Sequence, residues 1–138
     1  MLAPDHYKRF SLDPIFKIVS TMSRNGAPVI LFSKGANHSL RDIADVGADV
    51  VSVDWTVDIA EVRKLIGHRV CIQGNLDPSA LFASPPKIRQ EVRSILLKFG
   101  KGSGHVFNLG HGMFPDVPVD HAKALVKAVQ EESGAYHH

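Results

Sequence analysis

The chain has 138 residues, of which 44% are hydrophobic and 22% charged, and this is enough for one core of ordinary globular composition. Its 16 lysines and arginines are spread among 14 aspartates and glutamates, for a net charge of +2, which favours neither a nucleic-acid nor a membrane surface. The single cysteine, Cys71, excludes a disulfide framework and indicates a reducing, cytoplasmic setting. Because it lies in an apolar run, Cys71 is expected to pack in the core.

The hydrophobic pattern predicts a leading helix followed by four strand–helix units in a single domain, 1–138. The leading helix is expected at about 13–25, where Asp13 and Pro14 form a favourable helix start. The units are expected at about 28–47, 49–67, 69–100 and 105–133, each with a short apolar strand, a polar turn and a helix. The first strand is apolar throughout, which is typical of a strand buried on both faces. The terminal residues His137 and His138 are assigned no role.

This order of elements indicates an α/β fold with a parallel sheet, and two architectures accommodate it. One is a small open doubly wound sheet, and the other is part of a (β/α)8 barrel, which typically takes roughly 250 residues. In both, ligands bind at the carboxyl ends of the strands. Residues that end or follow the strands should therefore gather on one rim: Lys34, Asp54, Trp55, Gly74, Asn75, Asp77, Gly110 and His111.

His111 is the first candidate on this rim because Gly110 and Gly112 flank it. The backbone at such a position can approach a ligand closely, and an imidazole titrates near neutral pH. A turn histidine without a function fits the local sequence equally well.

The other rim side chains have simple structural explanations beside the functional ones. Asp54 and Asp77 could bind a cation or orient a ligand. Pairing with nearby backbone donors is the simpler explanation for Asp54, and a place in a turn is the simpler one for Asp77. Lys34 could bind a carboxylate or be a solvated turn residue. Trp55 is expected to pack beside the pocket.

Three other chemistries find no support in the sequence. The glycine-rich loop 100–104 (GKGSG) ends a helix and precedes a strand, whereas a phosphate-binding loop follows a strand and opens a helix. A zinc site needs several ligands at suitable spacing, and Cys71 is alone. No Gly-x-Ser-x-Gly sequence opens a helix after a strand, so a serine nucleophile is not indicated. The sequence by itself therefore indicates no phosphate-binding loop, no zinc site and no serine nucleophile.

Three segments together resemble the uroporphyrinogen decarboxylase family in identity, order and spacing. They are residues 53–56 (VDWT), 73–78 (QGNLDP) and 108–112 (NLGHG), the last followed by Pro115 and Asp116. The opening residues 9–12 (RFSL) also resemble this family. The resemblance implies a (β/α)8 barrel, of which this chain is the carboxyl-terminal half, with one leading helix and four parallel βα units.

The resemblance further implies a function in haem and tetrapyrrole biosynthesis. Family members remove carbon dioxide from the four acetate side chains of uroporphyrinogen, giving coproporphyrinogen without metal or organic cofactor. Protonation of the pyrrole carbon next to nitrogen supplies the electron sink for each departing carboxylate. The histidine of the family's Leu-Gly-His-Gly motif contacts the substrate, so the resemblance implies that His111 does so here.

The family's other main site residues have no counterpart in this sequence. The arginines that clamp carboxylates, the aspartate that gathers the pyrrole N–H groups, a tyrosine and a hydroxyl residue belong to the amino-terminal half. No catalytic residue is therefore assigned here, and the chain alone is expected to have little or no decarboxylase activity. Its open sheet edges should be covered by the missing half, by a second copy in a homodimer, or by rearranged termini.

Two alternative functions remain open. One is a non-catalytic half-barrel that binds a tetrapyrrole or a partner protein. The other is a related barrel methyltransferase that uses a zinc-bound thiol, against which the solitary Cys71 counts.

Overall fold

A parallel sheet of four strands organises residues 3–137, the part of the chain that this computed structural model describes. The strands are β1 (Ile30–Phe32), β2 (Val50–Ser52), β3 (Cys71–Leu76) and β4 (His105–Leu109). Ile30 is paired with Val50, Val50 with Cys71, and Ile72 with His105. His138 lies outside the described residues.

Helices precede, connect and follow the strands. They are α1 (Pro4–Tyr7), α2 (Asp13–Thr21), α3 (Leu40–Ala44), α4 (Ile59–Ile66), α5 (Pro85–Phe99) and α6 (Val119–Glu132). Short 3-10 helices lie at Asn37–Ser39, Pro78–Phe82 and Ser133–Ala135. Local sequence sets several of these boundaries: the Asp58 carboxylate caps α4 by accepting from Ala60 N at 2.8 Å, and Gly100 ends α5 with a φ of 83°. No helix within residues 3–137 combines the length and apolar character that a membrane span requires.

The strand order decides between the two predicted architectures. The order in the sheet is β1-β2-β3-β4, so every crossover moves in the same direction. A doubly wound sheet instead reverses direction at a switch point, where its ligand binds. Because crossovers between parallel strands are right-handed, the observed order places the connecting helices on one side of the sheet, as in a (β/α)8 barrel. The chain therefore forms an arc of such a barrel.

The leading helix begins and ends earlier than the sequence pattern predicted. The helix α1, a π-helical turn at Lys8–Leu12 and α2 run without a break over residues 4–21, which we call the leading helix. Tyr7 is buried, and its hydroxyl donates to Ser33 Oγ at 2.8 Å, beside the end of β1. The Tyr7 ring also meets that of His38 edge to face, with centroids 5.7 Å apart. The predicted start at 13 was wrong because these tertiary contacts, made within an otherwise polar stretch, fix the first turns.

The two faces of the sheet differ sharply in burial. The outer face, under the helices, is closed, and Ile72 is fully buried there. On the inner face, Ile30 is 48% exposed and Phe32 is 42% exposed, so the expectation that β1 is buried on both faces was wrong. Cys71 is also exposed, which contradicts its predicted place in the core. Both errors have the same cause: the helices of the described chain cover only the outer face.

Candidate functional site

A cavity of about 430 Å³ opens on the inner face of the sheet towards the carboxyl ends of the strands. Its lining consists of Phe32, Ser52, Gln73, Asn108, Leu109, Gly110, His111, Gly112 and Met113. His111 is the only residue of this lining that can carry a charge. The cavity therefore presents neutral polar groups and apolar surface, with one imidazole at its wall.

Two aromatic side chains hold the His111 ring at this wall. Its centroid lies 6.1 Å from that of Phe32 and 6.0 Å from that of Trp55, and both pairs meet edge to face. His111 itself is exposed, so its ring nitrogens are accessible to a ligand. Strand β1 and the turn after β2 thus position a residue that follows β4.

Gly110 allows the turn after β4 to lie against the turn after β2. A Cβ atom at position 110 would come within 2.4 Å of Trp55 N and 2.9 Å of the Asp54 carbonyl carbon. Gly110 N also donates to Leu76 O at 2.7 Å, which extends the pairing of β4 with β3 past the strand end. The glycine is thus required for close packing of the rim, and it sets the position of the adjacent His111.

Asp54 connects two turns beneath the rim instead of facing the cavity. Its buried carboxylate accepts from Gly35 N at 2.9 Å, Asn37 Nδ2 at 3.0 Å, Thr56 N at 2.9 Å and Thr56 Oγ1 at 2.5 Å. Burial by itself raises the pKa of Asp54, but these hydrogen bonds, led by the Thr56 hydroxyl, outweigh it and lower the pKa below its ordinary value. The geometry matches the structural explanation considered for this residue, as a partner of backbone donors.

Asn75 connects β3 to the same turn. Its buried side chain donates from Nδ2 to Asp54 O at 2.9 Å and to Val57 O at 2.8 Å. The preceding Gly74 has a φ of 136°, and a Cβ there would come within 2.9 Å of Val53 O. The Gly74-Asn75 pair therefore lets β3 approach the β2 turn and bond to it.

The remaining rim candidates, Lys34 and Asp77, lie outside the cavity lining. Lys34 Nζ lies 5.5 Å from the Trp55 ring centroid, so its ammonium is close to the aromatic group that supports His111. Asp77 accepts from Ser79 N at 2.8 Å and caps the 3-10 helix that follows β3. Asp77 does not line the His111 cavity. The structure thus brings Lys34, Trp55 and His111 together and gives Asp77 a capping role.

The sequence interpretation did not select seven residues of this lining, and five of them belong to strands: Phe32, Ser52, Gln73, Asn108 and Leu109. Each lies within a strand, whereas the candidates were chosen mainly from strand ends. Gln73 is the register partner of Ser52, and its Nε2 donates to Ser52 Oγ at 3.2 Å. The sequence does contain a signal for such residues, because side chains of a strand alternate between its two faces. A single polar residue inside an apolar strand therefore indicates a face that lies outside the apolar core.

Two features raised by the sequence, the loop 100–104 and a metal site, do not form a ligand site within residues 3–137. The loop 100–104 precedes β4 and therefore lies at the opposite rim. Arg63 fixes this loop by donating hydrogen bonds to Phe99 O and, at 2.7 Å, to Lys101 O. Residues 3–137 contain no group of three or more His, Cys, Asp or Glu side chains arranged to hold a metal ion.

The fold and the cavity together define a partial (β/α)8 barrel with a candidate ligand site at the carboxyl ends of its strands. The family model described as "Uroporphyrinogen decarboxylase (URO-D)" matches residues 1–132. The chain belongs to the uroporphyrinogen decarboxylase family, and the resemblance drawn from its three sequence segments is confirmed.

Curated relatives support the same assignment and show how much of the family's length is present. The uroporphyrinogen decarboxylase of Actinobacillus succinogenes is 54% identical over 141 residues, covering 99% of this chain and 40% of the relative. That of Hydrogenovibrio crunogenus is 49% identical with the same coverage. The chain thus spans about two fifths of the length of the curated relatives that it matches.

A solved structure agrees with the barrel architecture. A methyltransferase from Methanosarcina mazei superposes with a TM-score of 0.80 at 27% identity, covering 95% of this chain and 38% of that protein. The described residues thus match a portion of a longer protein in structure as well as in sequence.

Proposed function

We propose that this chain provides the carboxyl-terminal half of a uroporphyrinogen decarboxylase barrel, and that the assembled barrel decarboxylates the acetate side chains of uroporphyrinogen. His111 contacts the substrate at the cavity wall. The reaction yields coproporphyrinogen and uses no cofactor. A lone cysteine fits the cytoplasmic setting of this proposal.

The observation that carries the proposal is the placement of His111. It stands over an open cavity at the carboxyl ends of four parallel strands, where (β/α)8 enzymes bind their substrates. Its ring is exposed, and Phe32 and Trp55 restrict its orientation. An imidazole held in this way can donate a hydrogen bond to a substrate carboxylate.

The same cavity explains why we propose that the chain alone has little or no activity. Decarboxylation of this substrate requires cations to bind carboxylates and a negative group to bind the pyrrole N–H groups. His111 is the only residue of the cavity lining that can be charged. Lys34, beside Trp55, adds one cation near the site, but the lining has no negative group, so the remaining charges must come from another segment across the cavity.

We propose that this segment is the family's amino-terminal half and that it does not come from a second copy of the chain. Both outer strands, β1 and β4, have a free edge within the described sheet, and a barrel closes when each edge pairs with a further strand. In a closed barrel the helices form a ring in which each helix covers the junction between two neighbouring strands. A second copy would place its own α6 at the junction beside β1.

The leading helix already occupies that junction. Its buried residues Leu12 and Val19 belong to the same apolar core cluster as Ile43 and Val46 in and beside α3, and Leu31 of β1 packs against this cluster. A segment that both begins and ends with a strand can pair with β4 and β1 without displacing the leading helix. The amino-terminal half of a (β/α)8 chain has this form.

The test is complementation between two purified polypeptides. This chain is mixed with the amino-terminal part of the Actinobacillus succinogenes relative, ending where its similarity to this chain begins. We expect a one-to-one complex by size-exclusion chromatography and formation of coproporphyrinogen from uroporphyrinogen by the mixture only. Turnover by this chain alone at the level of the intact relative would contradict the proposal. A one-to-one complex that binds porphyrin without turnover would instead favour the non-catalytic alternative.

A further inference from the structure

Three neutral polar side chains, Ser52, Gln73 and Asn108, line the inner face below His111, and Asn108 is the most exposed of them. Ser52 and Gln73 bond to each other through Gln73 Nε2 and Ser52 Oγ. Asn108 accepts from Leu109 N through Oδ1 at 2.8 Å, which fixes the amide so that the carbonyl oxygen faces the backbone. Within residues 3–137, Asn108 Nδ2 donates to no group, and the residue is exposed.

Asn108 and His111 line the same cavity near the carboxyl end of β4. Both line the 430 Å³ cavity, and they are three positions apart at the end of β4. An amide N–H and an imidazole N–H in the same cavity form a pair of donors suited to a carboxylate, which prefers two donors at its two oxygens. The neutral amide also brings no negative charge to a cavity that must accept an anionic ligand.

We propose that Asn108 is a substrate-binding and specificity-determining residue, whose Nδ2–H donates to a carboxylate side chain of the macrocycle beside His111. This inference rests on the proposed function, because that function supplies the anionic substrate. Asn108 orients the substrate and takes no part in proton transfer. Asn at this position should bind an anionic substrate more tightly than Asp, because Asp is nearly identical in shape but lacks the N–H donor and carries a negative charge.

The experiment compares Asn108→Asp with Asn108→Leu in the one-to-one complex described above. The probe is uroporphyrin, the oxidised fluorescent form of the macrocycle with the same carboxylate side chains. We expect Asn108→Leu to weaken uroporphyrin affinity about 5-fold through loss of one hydrogen bond to a charged group, and Asn108→Asp to weaken it at least about 30-fold through added repulsion. The repulsion should diminish at high salt, which a purely structural effect would not do.

Gln90→Glu is the matched control. It makes the same amide-to-carboxylate change at an exposed position of α5 that does not line the cavity, so affinity should stay within about 2-fold of the unchanged chain. Circular dichroism checks that each variant is folded. If Asn108→Asp does not fold, Asn108→Ser, which is neutral and too short to reach the same acceptor, should still show the weakening of about 5-fold.

Asn108 also borders the groove between β4 and α6, where the amino-terminal segment would dock. Variants that impair formation of the complex but leave uroporphyrin affinity unchanged would overturn the proposal and assign Asn108 to assembly. Equal affinities for the unchanged chain, Asn108→Asp and Asn108→Leu would overturn it as well. Failure of the unchanged complex to bind uroporphyrin would refute the proposed function and this inference with it, whereas normal binding with unaffected variants would refute this inference only.

Discussion

The rim contains two regions that differ in how fully their polar groups are engaged. Beneath the rim, Asp54 accepts four hydrogen bonds and Asn75 donates two, and both residues are buried. Above it, the stretch 111–116 is exposed throughout, and the His111 ring is held only by two aromatic contacts. We call the first region the buried rim network and the second the exposed turn.

The comparison separates two roles that sequence resemblance alone does not distinguish. Asp54, Asn75 and His111 all belong to the segments that identify the family, yet the polar groups of the buried rim network form their hydrogen bonds inside the protein. Groups that are fully satisfied internally stabilise the fold and are poor ligand contacts. The exposed turn has the opposite properties, because its imidazole is accessible. Substitutions in the buried rim network should therefore reduce stability, and those in the exposed turn should reduce binding.

The largest effect on stability is expected for Gly110→Ala. The added methyl group would overlap backbone atoms of the β2 turn, with Trp55 N only 2.4 Å away, so one of the two turns must move. We expect the free energy of unfolding to fall by about 3 kcal/mol or more, measured by urea denaturation.

Gly112→Ala is the matched control for this prediction. A Cβ at position 112 meets nothing within 4 Å, and the free energy of unfolding should change by less than about 0.5 kcal/mol. Equal losses for the two alanine variants would show that close packing at position 110 does not determine stability.

Asp54→Asn should have the next largest effect, a loss of about 2 kcal/mol, because an amide cannot accept from all of the donors that surround the carboxylate. The pKa of Asp54 is lowered in the folded state, so its contribution is present above the ordinary carboxyl pKa and is lost as pH falls through the folded value. The difference in free energy of unfolding between the unchanged chain and Asp54→Asn should therefore be smaller in denaturation experiments near pH 3. Asp77→Asn, at an exposed cap that asparagine also satisfies, should cost less than about 0.5 kcal/mol.

Much of the fold could be predicted from the sequence because each strand is a short apolar run bounded by polar turns. The order of four βα units follows from that pattern alone. The start of the leading helix could not be predicted in this way, since it depends on Tyr7 reaching Ser33, 26 positions away. A local pattern contains no information about such a contact.

The site was predicted less completely than the fold. The strand ends were read correctly as a source of rim residues, but the roles of Asp54 and Asn75 beneath the surface depend on tertiary geometry. Gln73 and Asn108 were passed over because apolar strands were interpreted as buried on both faces. Their alternation with apolar neighbours was a usable signal for an inner face, and the exposure of Cys71 on the same strand as Gln73 has the same explanation.

A smaller effect is expected at His105, on the opposite rim from the ligand site. Its ring stacks on Phe99 at 4.2 Å, its Nε2 bonds Gly74 O at 2.8 Å, and its buried Nδ1 has no partner within residues 3–137. Burial lowers the pKa of His105. The hydrogen bond to Gly74 O raises it, but the neighbouring His137 and Arg63 lower it further, so the pKa lies below its ordinary value. Below about pH 6.5 the unfolded chain therefore takes up a proton that the folded chain resists, and stability falls as pH decreases.

His105→Phe should remove the part of the pH dependence of stability that His105 causes. Between pH 7.5 and pH 5, we expect the unchanged chain to lose up to about 1 kcal/mol more stability than the variant, as measured by denaturation at each pH. If His105→Phe lost more stability than the unchanged chain as pH decreases, this would contradict the conclusion that His105 has a lowered pKa in the folded chain.

The smallest effect on stability, and the sharpest test of the comparison, is expected for His111→Leu, which has no hydrogen-bond donor. The exposed ring contributes two edge-to-face contacts, and the free energy of unfolding should change by less than about 1 kcal/mol. Uroporphyrin affinity of the assembled complex should nevertheless fall about 10-fold, because a donor to a carboxylate is lost from the cavity wall. The two quantities come from urea denaturation and fluorescence titration of the same preparation. A loss of several kcal/mol with unchanged affinity would place His111 in the buried rim network, because only a residue whose interactions are internal can destabilise the fold without affecting the ligand.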